Sequence, residues 1–211
     1  MERFLSRLEN KMGRFYIPGL MKIIVFGMAG VFLLDLFFFR SAVTASQLLS
    51  FNRALILRGQ VWRLVTFIFI PEGSSPIFIF FTLYFYYLLG TALENRWGSR
   101  RFNLYYLLGI LGADLGGMLT GYGTGYFLNL SLFLAFACLY PEFEILLFFV
   151  LPVKIKYIAY LDAAYLAYLL FSLPWAGRGS MLLSLLPFFL FFGEELFFSA
   201  KRLAWRLKNR R

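Results

Sequence analysis

Asp114 and Asp162 are carboxylates set inside long apolar runs, and Ser131 is a hydroxyl in a third such run. A charged group at the middle of a membrane helix costs about 2.5–3.5 kcal/mol, so each acid is a candidate for chemistry, as a proton or ion handler. Ser131 is a candidate nucleophile only if a base stands beside it. Two further clusters hold polar residues at fixed spacing: Trp62-Arg63 within Gly59–Thr66, and Gly90-x-x-x-Glu94-x-x-x-Gly98. The second spacing puts both glycines and the glutamate on one helical face, so it predicts close backbone approach with the carboxylate capping or pairing locally. The chain contains no histidine, and no serine in it has a general base of the usual kind. With one cysteine, Cys138, it can form neither an intrachain disulfide nor a cysteine-histidine zinc site. No metal and no other cofactor is expected.

The elements that must position these groups are membrane helices. Of 211 residues, 61% are hydrophobic, 28 are phenylalanine and only 15% are charged, and the charges cluster between long uncharged runs. Six spans are expected, near Ile23–Phe39, Ile77–Leu93, Phe102–Thr120, Tyr126–Tyr140, Ile155–Leu173 and Met181–Phe198. The fourth is short, at roughly 23 Å against a hydrocarbon core of about 30 Å. Two shorter apolar pieces, Gln60–Pro71 and Ile145–Leu151, read as interfacial segments. Residues 1–16 alternate apolar and charged side chains at helical spacing, as an amphipathic surface helix does, and show no signal-peptide pattern. Residues 17–200 form the membrane domain, and 201–211 a basic tail. Asp35 reads as structural, near a helix end with Arg40 close by, and Glu194 and Glu195 as partners for Lys201 or Arg202.

The formal net charge is +10, but the basic residues collect at the ends and in one short loop, which argues for topology and lipid headgroups rather than nucleic acid. With six spans, 16 of the 21 lysines and arginines fall on one side, so both termini are expected in the cytoplasm. A bacterial plasma membrane is expected, since no retention or sorting signal is present.

In order and position the two motifs resemble signatures of the rhomboid superfamily, and Arg101-Phe102 with Tyr105-Tyr106-Leu107 extends the likeness over roughly Arg58–Leu173. The resemblance implies an all-α, six-helix rhomboid-like bundle in which Trp62, Arg63, Gly90, Glu94 and Gly98 are structural and Arg63 ties the first loop to backbone carbonyls. Rhomboid proteases pair a serine with a histidine inside the membrane. Here Phe78 and Thr82 stand where a histidine and an asparagine are expected, and Gly123-Thr124-Gly125-Tyr126-Phe127 replaces the serine stretch. The sixth span carries Leu185-Leu186-Pro187-Phe188 and Gly193-Glu194-Glu195 in place of the base.

These departures imply a pseudoprotease of derlin-like kind, not an enzyme, with Phe78, Thr82 and Tyr126 on a vestigial active-site face. Its expected partners are membrane lipids and the transmembrane segments of client proteins. Two other classes stay open: a small transporter or lipid-handling protein using Asp114 and Asp162, and a hydrolase using Ser131 with Asp114. For both acids the plainer reading is a protonated or tyrosine-bonded helix contact.

Overall fold

The computed structural model describes residues 16–37, 44–73, 75–147 and 151–193. The expected surface helix before Tyr16, Arg40, Glu194, Glu195 and the basic tail lie outside them. Helix α1 (Leu20–Phe37) leads into a compact first loop made of α2 (Ala45–Leu49), β1 (Phe51–Asn52), α3 (Arg53–Leu57), α4 (Arg63–Thr66) and a 3-10 turn at Phe67–Phe69. Helices α5 (Pro76–Trp97) and α6 (Ser99–Thr120) follow, then β2 (Tyr122–Gly123) and α7 (Tyr126–Leu139). Strands β3 (Glu144–Leu147) and β4 (Leu151–Lys154) precede α8 (Ile155–Ser172), α9 (Trp175–Ser184) and a last turn of helix, α10, at Leu186–Gly193.

Among the described residues, α1, α5 and α6 are long and apolar enough to cross a membrane, and a fourth span results if α9 and α10 count as one. The chain is therefore a mostly helical membrane protein. Helix α7 has 14 residues, about 21 Å, and α8 dilutes its apolar residues with Lys156, Asp162 and four tyrosines. The expected sixth span starts earlier than its hydropathy indicated, at Trp175, and bends by 51° between Ser184 and Leu186. Pro187 causes the bend: it has no N–H for the carbonyl of Leu183, four residues back, and its ring crowds that carbonyl.

The expectation of an all-helical chain needs amending at two short strand pairs, β1–β2 and β3–β4. Ile145–Leu151 is not a simple interfacial run, because β3 and β4 pair antiparallel, with Glu144 opposite Lys154 and Ile145 opposite Val153. At the base of this hairpin the Glu142 carboxylate accepts hydrogen bonds from Lys154 and Lys156, which hold its pKa down at about 2.

Small residues decide how close the helices come. A Cβ on Gly112 would lie 2.0 Å from the Leu183 carbonyl oxygen, and one on Gly116 would lie 2.7 Å from the Ser180 Cα. Helix α6 thus touches the backbone of α9, and this is the most extensive helix pairing in the fold. Gly109 admits Leu128 of α7, and Gly90 of α5 admits the fully buried Met21 of α1. The core runs through Met21, Leu89, Leu93, Phe102, Tyr105, Leu128 and Phe136.

Replacing Gly112 by alanine should push α6 and α9 apart at a cost of about 1–3 kcal/mol. Gly30→Ala, which meets nothing within 4 Å, should be neutral. Thermal unfolding in detergent checks this, and equal transition temperatures for the two variants would rule out backbone contact at Gly112.

Candidate functional site

The Arg63 side chain is 3% exposed, and its guanidinium works as a clamp inside the first loop. It donates to the Gln47 carbonyl at 2.9 Å, the Ser50 carbonyl at 2.5 Å and the Gln60 side chain at 2.7 Å. Those carbonyls end α2, where the helix has no N–H left to satisfy them. Trp62, its neighbour, is half exposed. The loop is fastened to the rest of the bundle by β1–β2 pairing, which sets Phe51 opposite Gly123, and by Arg53, which donates to the Met118 carbonyl at 2.9 Å.

Glu94 joins the start of α1 to the α5–α6 corner. Its carboxylate accepts from the Gly19 N–H and the Ser99 hydroxyl, both at 2.7 Å, rather than pairing with Arg96 or Arg100. Asn103 completes this clamp by accepting from the Ile17 N–H and donating to its carbonyl, each at 2.9 Å. Gly90 and Gly98 do different work: Gly90 takes Met21, whereas Gly98 ends α5 at φ +82°, a conformation open to glycine. The spacing alone pointed to the same work for both.

The stretch Gly123–Phe127 and the start of α9 border a half-open cavity of about 240 Å³ lined by Thr120, Thr124, Phe127, Gly177, Ser180 and Ser184, among others. Its polar groups are hydroxyls. Ser184 donates to the Ser180 carbonyl at 2.9 Å, and Thr120 to that of Gly116 at 3.1 Å. No carboxylate or amine is among the lining residues. Leu185 and Phe188, which stand in the stretch where the resemblance places the base, are buried in the core, and α9 presents Ser180 and Ser184 just before that stretch. Phe78 is exposed, Thr82 half-buried and Tyr126 exposed at the mouth of α7, and none of the three lines the cavity.

Ser131 is fully buried, donates to the Leu128 carbonyl at 2.7 Å and takes a hydrogen bond from Tyr105 at 3.0 Å. Such engagement is that of a helix-bound serine. Asp35 accepts from the N–H and hydroxyl of Ser46. Asp114 has one buried carboxyl oxygen without a hydrogen-bond partner. Asp162 stands on α8, on the side of Tyr126, and is not brought together with Asp114 by any described contact.

A second polar cluster escaped the sequence. Glu72, in the turn before α5, accepts from the Tyr86 hydroxyl at 3.3 Å, and Gly125 sits between Glu72 and Asn129 of α7. Asn129 and Tyr106 are 3% and 1% exposed. Glu72 Oε1, Asn129 Oδ1 and the Tyr106 hydroxyl are all buried without a hydrogen-bond partner. Pro71-Glu72-Gly73 reads as a turn, and a turn carboxylate ordinarily faces water. Only the folding back of this turn onto α5 and α7 buries it.

The family model of the Rhomboid domain matches residues 58–182, more than half of the chain, and takes in Arg63, the glycine-glutamate motif and the cavity's lining residues from Ala113 to Ser180. No curated protein shows a significant match to the chain.

Burial pushes the Glu72 carboxyl up to about 7, against a smaller downward pull from the Tyr86 hydroxyl. Between the ordinary value of 4.5 and about 7, the folded protein holds a proton that the unfolded chain has released. Stability should therefore fall by about 2–3 kcal/mol as pH rises through that window and level off above it. Thermal unfolding from about pH 5 to about pH 8 reads this out, and Glu72→Gln should remove the slope. Parallel profiles for the two proteins would mean that Glu72 is solvated.

Proposed function

This chain belongs to the rhomboid family, and we propose that it is a non-proteolytic member that binds transmembrane segments of client membrane proteins, for quality control, escort or regulation. The observation that carries this reading is the make-up of the cavity between Gly123–Phe127 and α9. The lining offers threonine and serine hydroxyls and apolar groups, and the whole chain has no histidine. Ser131 is committed to its own helix and to Tyr105. A hydroxyl without a base is a poor nucleophile, but it remains a good hydrogen-bond partner for the backbone or polar side chains of a distorted helix.

The bundle suits that task in two further ways. Helix α7, at 14 residues, is shorter than a bilayer is thick, so it favours local thinning and a lowered barrier for polar segments. In the proposed topology of six spans with both termini cytoplasmic, the hydroxyl-lined cavity opens toward the extracytoplasmic face.

One observation favours a second reading, transport or lipid handling. The α9–α10 segment is broken by 51° beside α6, which carries Asp114 with its unpartnered oxygen. Broken helices near buried acids are where transporters bind their substrates. Under that reading Asp114→Asn abolishes flux or lipid scrambling in liposomes.

Photocrosslinking in the membrane, with a probe at Phe78, Thr82 or Tyr126, separates the two. Discrete adducts with transmembrane proteins, competed by excess client, are expected, with no cleavage of the client and no labelling by serine-directed probes. Adducts with lipid alone would refute client binding and leave the second reading in its place. Cleavage lost in Ser131→Ala would refute both.

A further inference from the structure

Helices α5, α7 and α8 converge on a patch of oxygen atoms near the first turn of α7. The Tyr126 side chain lies near that of Tyr165 and within electrostatic reach of both Asp162 and Glu72. Glu72 continues the patch inward through Tyr86 and Asn129, with Tyr106 behind them. Two carboxyls and four phenols thus belong to one run of neighbouring polar groups. Neither carboxyl has an ion-pair partner among the described residues.

The described arginines of the expected extracytoplasmic half do not supply one. Arg53 donates to the Met118 carbonyl, Arg63 to those of Gln47 and Ser50, and Arg178 to those of Leu173 and Phe171, while the exposed Arg58 forms no ion pair with either carboxyl. The unpartnered atoms of the patch are Glu72 Oε1, Asn129 Oδ1 and the Tyr106 hydroxyl, and Asn129 and Tyr106 are more than nine-tenths buried. All three are oxygens that can accept. A primary ammonium has three donors and no acceptor, and aromatic faces around it add cation–π attraction.

We propose that this patch receives a lysine side chain from the extracytoplasmic half of a client's transmembrane helix. The proposal rests on the client-binding reading and names the feature that selects the client. The approach is lateral. Tyr160, Leu161, Tyr168 and Phe171 of α8 and Phe78 of α5 are all exposed, which leaves apolar and aromatic surface beside the patch for a helix to lie against. A lysine on that helix reaches the carboxyls through its four-carbon stem, and the stem stays in apolar surroundings. A lone lysine is expensive in hydrocarbon, so a helix carrying one gains most from such a site.

The test uses the full chain in lipid nanodiscs with a photocrosslinking residue at Phe78. Two synthetic single-span peptides are compared, identical except for lysine or leucine at one position in the extracytoplasmic half. The lysine peptide should crosslink about tenfold more, a difference of about 1.4 kcal/mol in binding. Glu72→Gln and Asp162→Asn should each bring it down to the level of the leucine peptide. The leucine peptide's signal in those variants reports that they are folded. Equal crosslinking of the two peptides overturns lysine selection and leaves client binding standing. A preference that survives both substitutions overturns the assignment to this patch. Crosslinking of neither peptide refutes client binding, and the inference falls with it.

Discussion

Hydrocarbon offers no hydrogen bonds, so every polar group held at membrane depth must find its partner within the protein. This constraint accounts for most of the polar side chains in the bundle. Arg63 closes the open carbonyls of α2, Glu94 takes the N–H that precedes α1, and Asn103 takes both polar groups of Ile17. Each is a long-range bond between a side chain and a backbone group that regular structure leaves over. Removing any one strands a buried donor or acceptor and costs about 1–3 kcal/mol. The motif residues are therefore joints, and the helices are the members they connect.

Packing follows a second rule. Lipid chains are as apolar as leucine, so helices do not associate merely to escape water, and close backbone approach must supply the attraction. Gly109, Gly112 and Gly116 give α6 a flat face against α7 and α9. Backbone contact at Gly112 brings Leu183 close, and Pro187 turns the chain away immediately after. The cavity beside Ser180 and Ser184 lies against this contact. Its size and hydroxyl lining thus follow from glycines on one helix and a proline on another.

Among the described residues, the polar atoms that escape the first rule include Asp114 Oδ1, Thr91 Oγ1, and the trio of Glu72, Asn129 and Tyr106. A buried group without a partner is either costly or waiting for one. The trio gathers near the start of α7, and it is there that the proposed client site falls.

Much of this was legible in the residues alone. Hydropathy gave the membrane character and the positions of α1, α5, α6 and α7, because a span must be long and apolar wherever it lies. The family resemblance implied the first-loop arginine clamp, and the missing histidine is a matter of composition. Motif spacing pointed to Glu94 only as a local cap, while the structure extends it to Gly19. What only the tertiary structure decided are the contacts between distant segments. The start of α9 at Trp175 was hidden because Arg178 and three small residues break the hydropathy there, while packing on α6 makes the helix. The β3–β4 hairpin was hidden because a short apolar run has no period of its own. Glu72 and Asn129 were hidden because neither lies in a motif and their spacing means nothing along the chain. Burial of a turn carboxylate depends on which helices the turn folds against, and that is fixed only when Gly125 brings α7 beside it.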